Sequence, residues 1–169
     1  MSSQAISQPV DDYAALKVRL SELCDPEIPV LTLEDLGIIR SVSRDGKDVV
    51  VTITPTYSGC PAMDAIESAV QQVLDASPLN GTVETVFDPP WTTDWLSEDG
   101  RRKLKEYGIA PPAGTTSKRA LLGDYNEAVH CPRCDSTNTR VISQFGSTAC
   151  KALYQCQSCL EPFDYFKCH

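Results

Sequence analysis

The residues 48–61, DVVVTITPTYSGCP, decide the fold of the first part of this chain. The first residues are almost all β-branched, which is typical of a strand, and Pro55 ends that strand. Beyond Pro61, apolar residues recur at the spacing of an amphipathic helix, at Met63, Ile66, Val70 and Val73. The stretch therefore predicts a strand, a short loop and a helix.

Cys60 lies in this loop, directly before Pro61. Proline is favoured in the first turn of a helix, so Pro61 predicts that Cys60 is the helix cap. Free backbone N–H groups and the helix dipole would there favour the thiolate, the form that attacks electrophiles or binds metal. The alternative is a buried and inert thiol, because free cysteines are among the most buried residue types.

Composition limits the classes of function. The 169 residues allow one ordinary domain and a small second one, and the net charge of -8 argues against binding to nucleic acid or to a membrane surface. Residues 1–12 show no signal peptide, and no apolar run approaches the roughly 20 residues of a membrane span. We therefore expect a cytoplasmic protein. In that reducing compartment the eight cysteines indicate metal ligands rather than disulfides.

Two segments before the central stretch carry polar candidates. Asp11 or Asp12 is expected to cap a first helix, with Cys24 packed beside its apolar face near the helix end. Asp25 and Glu27 follow on either side of Pro26, and the prolines hold the two carboxylates near each other. On physical grounds alone this acidic segment is expected to be a solvated turn.

The order of elements predicts an α+β fold. Asp45-Gly46 should join strands 38–42 and 48–54 into a hairpin, and a third strand is expected at 82–87 after the helix. This is a small helix-on-sheet sandwich, followed by a C-terminal zinc-ribbon β domain. The expected boundaries are 1–108 for the first domain, 109–128 for a linker rich in Pro, Gly, Thr and Ser, and 129–169 for the ribbon.

Two CxxC pairs define the expected ribbon. They are Cys131 with Cys134 and Cys156 with Cys159, separated by 21 residues. Four thiolates bind one tetrahedral zinc ion, and a segment this small needs a metal to fold. The strands of the ribbon are expected between the pairs, with apolar packing from Phe163, Tyr165 and Phe166.

Other ligand-type residues of the C-terminal segment are secondary candidates. Cys150 is expected in the loop or strand opposite the knuckles, either exposed or functional, and His130 precedes the first knuckle. Cys168 and His169 could bind a second metal or replace a knuckle cysteine. The paired knuckles are preferred, because ordering a chain end costs entropy.

Several motifs resemble those of a known family. The segments DPE at 25–27, DLGII at 35–39, TITP at 52–55 and CP at 60–61 resemble SufT-like iron–sulfur assembly factors. Together with FDPPW at 87–91, KEYGIAPP at 105–112 and the ending FKCH at 166–169, the chain resembles the PaaD (PaaJ) family across nearly its whole length. These are accessory subunits of the phenylacetyl-CoA epoxidase, a monooxygenase that forms a ring 1,2-epoxide.

The resemblance implies a maturation factor rather than an oxygenase. Its partners would be the oxygenase and reductase components, whose iron or iron–sulfur centres it would help to assemble or maintain. The family's characteristic cysteine falls on Cys60, and its acidic motif falls on Asp25 and Glu27. The cofactors would be structural zinc in the ribbon and transient iron or an iron–sulfur cluster at Cys60.

Two other functions stay open at the sequence level. Iron in the four-cysteine ribbon would make the protein an electron carrier, since four thiolates suit iron as well as zinc. Rubredoxin-like knuckles usually have glycine after the second cysteine, where this chain has Asp135 and Leu160. A purely structural subunit of the complex is the other alternative, and the sequence also leaves a homodimer open.

Overall fold

The computed structural model describes residues 11–112 and 129–167. The first part contains α1 (Asp12–Ser21), β1 (Ile39–Asp45), β2 (Asp48–Ile53), α2 (Met63–Asp75) and β3 (Asn80–Thr85). A 3-10 helix (Thr93–Trp95), α3 (Glu98–Tyr107) and β4 (Ile109–Ala110) follow. Beyond the gap lie β5 (Thr139–Ser143), β6 (Lys151–Cys156) and β7 (Pro162–Phe166). The predicted α+β class with a C-terminal ribbon is confirmed.

The first sheet has the order β1-β2-β3, antiparallel between β1 and β2 and parallel between β2 and β3. The alternation expected from the sequence is observed in β2, where Val49, Val51 and Ile53 are buried. The connection from β2 to β3 runs through α2, which packs close to the sheet at Gly81. A Cβ at Gly81 would lie 2.5 Å from the Leu74 Cβ, so only glycine allows this approach.

Asp35 connects the loop before β1 to α3. Its carboxylate accepts hydrogen bonds from the Thr32 backbone N–H (3.1 Å), the Ser97 hydroxyl (2.8 Å) and the Lys103 ammonium (2.7 Å). Burial acts to raise the pKa of Asp35, but the bonds from Lys103, Thr32 and Ser97 together hold it below its ordinary value. The segment that leads into β1 is thereby fixed to the start of α3.

The second sheet has the order β4-β7-β6-β5. Ile109 and Ala110, expected at the start of the linker, instead form β4 and pair in parallel with β7. The expectation was wrong for these two residues, because Gly108 ends α3 in a left-handed conformation (φ 93°) and turns the chain straight into the strand. The rest of the expected linker from residue 113 to 128 lies outside the described residues, and the division into domains stays a prediction.

An aromatic contact joins the two sheets. Phe166, at the end of β7, packs edge-to-face on Trp91 with 6.2 Å between ring centroids, and both side chains are buried. Phe166 was expected to pack within the ribbon, but it belongs to the core of the first domain. Phe163 lies in the ribbon's own small core, and Tyr165 packs against that core. The ribbon is therefore seated on the first domain through Phe166.

Over residues 11–112 and 129–167, none of the helices has the length and apolar character needed to cross a bilayer.

Candidate functional site

Cys60 lies in the loop between β2 and α2, and it is half-buried. Its backbone N–H donates to the Tyr57 carbonyl (3.2 Å), and its carbonyl accepts from the Met63 N–H (3.3 Å). Residues 60–62 thus form a turn, and α2 begins at Met63 with Ala62 as its cap. The prediction that Cys60 caps the helix is wrong, because the missing N–H of Pro61 is tolerated equally well in this turn.

Burial raises the pKa of the Cys60 thiol, against the expectation that the helix end favours the thiolate. The negative charges of Glu27 and Asp25 raise it further. The Ala62 N–H and the Tyr57 phenol donate to the sulfur and lower the pKa, but by less in sum. Cys60 is therefore mostly a protonated thiol at neutral pH, facing carboxylates rather than an unopposed helix dipole.

Asp25 and Glu27 have different roles in their loop. The buried Asp25 carboxylate accepts hydrogen bonds from the backbone N–H groups of Glu27 and Ile28, both at 2.8 Å. This closes the turn, as Asp side chains commonly do. The Glu27 side chain is left to face the thiols. The acidic segment is consequently ordered by Asp25 rather than being a simple solvated turn.

Cys150 reaches this site from the C-terminal segment. It is buried in the core of the first domain, and its Sγ donates to Glu27 Oε2 at 3.6 Å across 123 positions of sequence. Thr148 Oγ1 lies 3.1 Å from the same sulfur. Burial is the main cause that raises the pKa of Cys150 to about 11, and the negative charge of Glu27 raises it as well. Cys150 is thus a neighbour of the acidic segment and not of the CxxC pairs.

Tyr57 is the residue that the sequence analysis missed. Burial raises its pKa to about 12, and the charges of Cys60, Cys150 and Glu27 all add to the effect. The phenol therefore lies within electrostatic reach of both thiols and the carboxylate. Its position three residues before Cys60 was the available signal, although spacing alone could not show that it points toward that thiol.

A cleft of about 300 Å³ opens beside Tyr57. Residues 54–58 form one wall, and Phe87, Pro90 and Trp91 form the other. Phe87 is 60% exposed at its rim. The loop that carries Tyr57 and Cys60 is therefore accessible along one side.

The four CxxC cysteines converge on one point. The Sγ atoms of Cys131, Cys134, Cys156 and Cys159 all lie within 4.8 Å of one another. The Cys131–Cys159 and Cys134–Cys156 separations are 3.7 Å and 3.5 Å. Two sulfurs bound to one tetrahedral zinc at about 2.3 Å would be about 3.8 Å apart, so this set could hold a metal ion.

The backbone of the second knuckle supports a thiolate. The N–H groups of Ser158 and Cys159 point at Cys156 Sγ, at 3.4 Å and 3.5 Å. The bond from Cys159 is the main cause that lowers the pKa of Cys156, to about 6, against the opposing effect of burial. Asp135 (φ 62°) and Leu160 (φ 65°) occupy the left-handed positions where such knuckles favour glycine.

Two of the remaining candidates, Cys24 and His130, are not part of either group. Cys24, expected to pack on the first helix, is exposed, because α1 ends at Ser21 and Cys24 instead pairs with Thr32 in a β-bridge. His130 Nδ1 lies 3.7 Å from Asp135, which also pairs with Lys105 of α3. Cys168 and His169 lie outside the described residues.

Two sequence-family profiles match the chain. One, described as "Iron-sulfur cluster assembly protein", matches residues 14–85 and so contains the acidic segment and Cys60. The other, described as "PaaD zinc beta ribbon domain", matches residues 115–167 and contains the four CxxC cysteines and Cys150. The chain thus joins two known modules.

Relatives of known name match either most of this chain or about half of it. A protein of Escherichia coli strain K12, named as a candidate subunit of 1,2-phenylacetyl-CoA epoxidase, is 51% identical over 88% of this chain and 88% of its own length. A protein of Porphyromonas gingivalis named "Fe-S protein maturation auxiliary factor" is 38% identical over 50% of this chain and 83% of its own length. A crystal structure of a domain of unknown function from Bacillus anthracis has a TM-score of 0.50 and is 29% identical, covering 55% of this chain and 91% of that one.

The electrostatics of the site make a testable prediction for Glu27→Gln. Removing this charge takes away one cause of the raised pKa of Cys60, so its alkylation should become several-fold faster at pH 8 and its rate profile should move to lower pH. The measurement is the pH dependence of iodoacetamide labelling of Cys60, followed by mass spectrometry. Glu84→Gln, on an exposed position of β3, serves as the matched control and should leave the profile in place. An unchanged profile in Glu27→Gln would contradict this electrostatic assignment.

Proposed function

Since this chain belongs to the PaaD family of 1,2-phenylacetyl-CoA epoxidase subunits, we propose that it matures or maintains the metal centres of that epoxidase. Family membership supports an accessory role in the epoxidase system. The proposed clients are its oxygenase and reductase components, and the proposed cargo is iron or an iron–sulfur cluster.

The observation that carries the proposal is the half-buried Cys60 thiol facing carboxylates, within the segment that matches iron–sulfur assembly proteins. Thiolate is a good ligand for iron, and binding of a cation deprotonates a thiol outright even where its pKa is raised. When the cargo leaves, the raised pKa returns the sulfur to its protonated form. This suits temporary binding better than permanent storage.

The neighbouring residues have supporting roles in this proposal. Glu27 would offset the positive charge of a bound iron, and its oxygen is a suitable further ligand. Asp25 would position Glu27 through the two backbone hydrogen bonds that close their loop. Tyr57 would donate to the Cys60 sulfur and limit the access of water on one side.

The ribbon would hold a structural zinc ion through Cys131, Cys134, Cys156 and Cys159. The sulfur separations fit a tetrahedral four-thiolate site, and the ribbon's own core contains few side chains. A metal bound in this way would supply folding free energy to the segment. The backbone N–H groups of Ser158 and Cys159 would stabilise the Cys156 thiolate in this site.

Metal analysis tests the zinc assignment. Purified protein should contain about one zinc per chain, and Cys156→Ser should lose most of it, because three thiolates bind more weakly than four. Cys24→Ser is the matched control, since Cys24 is exposed and lies outside the CxxC group, and its zinc content should be normal. Full zinc content in Cys156→Ser would remove the assignment. A red protein that contains ferric iron would favour the electron carrier.

Iron loading of the epoxidase tests the proposed function itself. Cys60→Ser should leave the fold nearly intact, since the two side chains are close in size. It should nevertheless lower the iron content of the epoxidase components, because a hydroxyl does not ionise near neutral pH and is a poor ligand for iron. The measurement is iron per epoxidase complex, purified from cells that carry wild-type, Cys60→Ser or Cys24→Ser protein. Full iron loading and normal turnover with Cys60→Ser would leave only a structural or docking role.

A further inference from the structure

We infer that Cys150 is the second thiol of the Cys60 site, and that Cys60, Cys150 and Glu27 together form a binding site for a borderline divalent metal ion such as Fe²⁺. This inference rests on the proposed function and makes it more specific. It assigns the site to two parts of the chain, the first domain and the ribbon. The site is distinct from the four CxxC thiols, which would hold the structural zinc ion of the ribbon.

The first support is the spacing of the donor atoms. Cys150 Sγ and Glu27 Oε2 are 3.6 Å apart. A sulfur and an oxygen bound to the same tetrahedral metal, at about 2.3 Å and 2.1 Å, would also be about 3.6 Å apart. The S–H···O bond of the free protein can therefore be replaced by an S–metal–O arrangement with little movement of either residue.

The second support is that Glu27 faces both thiols. Its charge acts on Cys60 and on Cys150, and Tyr57 is within electrostatic reach of all three groups. Cys150 is hydrogen-bonded to the carboxylate, and Cys60 lies within the range of its charge. Two thiols and one carboxylate are a ligand set for a borderline or soft divalent ion, with a coordination position left for water or a client's ligand.

The third support is the way the chain holds Cys150. Its carbonyl accepts from the Lys167 N–H at 3.1 Å, and its neighbour Lys151 pairs with Phe166, which is anchored on Trp91. Buried polar groups ordinarily have hydrogen-bond partners of this kind, which fix their position. Docking of the ribbon therefore fixes a thiol against the acidic segment. Cys150 lies in residues 115–167, which match the zinc-ribbon family, and not in residues 14–85, which match the assembly proteins, so the second thiol comes with the added ribbon.

Metal binding would be an exchange of protons for the cation. Each thiol gives up one proton to water as its sulfur bonds to the metal, and Glu27 binds as a carboxylate. Two thiolates and one carboxylate leave a single net negative charge around a divalent ion. No oxidation is involved, so the same thiols can take up the protons again on release.

A cobalt titration tests this site. Co²⁺ is the probe because thiolate coordination gives it strong near-ultraviolet charge-transfer bands, and it does not outcompete zinc already in the ribbon. Wild-type protein with a zinc-filled ribbon should bind one additional Co²⁺ with these bands and release two protons. Cys60→Ser and Cys150→Ser should each bind roughly tenfold more weakly or worse and lose band intensity.

Matched variants separate ligand loss from damage to the fold. Cys24→Ser should bind Co²⁺ like the wild type, and Glu27→Gln should weaken binding while keeping both thiolate bands. Zinc content and circular dichroism of Cys150→Ser report whether the ribbon is still docked. If Cys150→Ser is disordered, the Co²⁺ affinities of Glu27→Gln and Cys150→Ala test the site instead, and both variants should bind Co²⁺ more weakly than the wild type.

Three results would overturn the inference. They are wild-type Co²⁺ binding in a folded Cys150→Ser, no Co²⁺ beyond the ribbon in the wild type, and a Cys60–Cys150 disulfide in place of two free thiols. The proposed function fails by a different result, namely normal epoxidase iron in Cys60→Ser cells. If only Cys60→Ser lowers that iron while Cys150→Ser behaves as wild type, the maturation role stands and the two-thiol site does not.

Discussion

The contact between Trp91 and Phe166 is the interaction on which the rest of the arrangement depends. It buries two large rings edge to face. The indole N–H of Trp91 donates to the Leu36 carbonyl at 2.7 Å, so this polar group keeps a hydrogen-bond partner when it is buried. The Leu36 carbonyl belongs to the segment that Asp35 fixes to α3. Because Phe166 pairs with Lys151 across β6 and β7, anchoring the ring also places Cys150. Its sulfur then meets Glu27, more than a hundred residues earlier in the chain.

Docking of the ribbon also contributes to the electrostatic state of the site. Burial is the largest cause of the raised pKa of both Cys60 and Cys150, and docking places Cys150 in the larger core, beside Glu27. Placing thiols near a carboxylate in such surroundings disfavours their ionisation, and a bound cation would reverse that preference. In our account, the ribbon is therefore both a support, held by its own four cysteines, and a wall of the site where cargo binds.

Local patterns in the sequence predicted most of the elements. The β-branched run 48–53, the Asp45-Gly46 turn and the apolar spacing in α2 are each determined by neighbouring residues, and the paired CxxC knuckles converge as their spacing indicated. The predictions that were wrong concern features that tertiary contacts determine. Pro61 is compatible with a helix start and with a turn, and only the hydrogen bonds around Cys60 show which one forms. The proximity of Cys150 to Glu27 has no local signature, since docking of the ribbon creates it.

The most direct test of the central claim is the transfer of labelled iron to a client. Protein loaded with ⁵⁷Fe²⁺ at the Cys60 site would be mixed with iron-free epoxidase components, and the label in the reisolated components would be measured by mass spectrometry. Our account expects transfer from the wild-type protein at a rate above that of free ⁵⁷Fe²⁺ at the same concentration, and no such acceleration with Cys60→Ser. Equal rates for free iron, wild type and Cys60→Ser would contradict it.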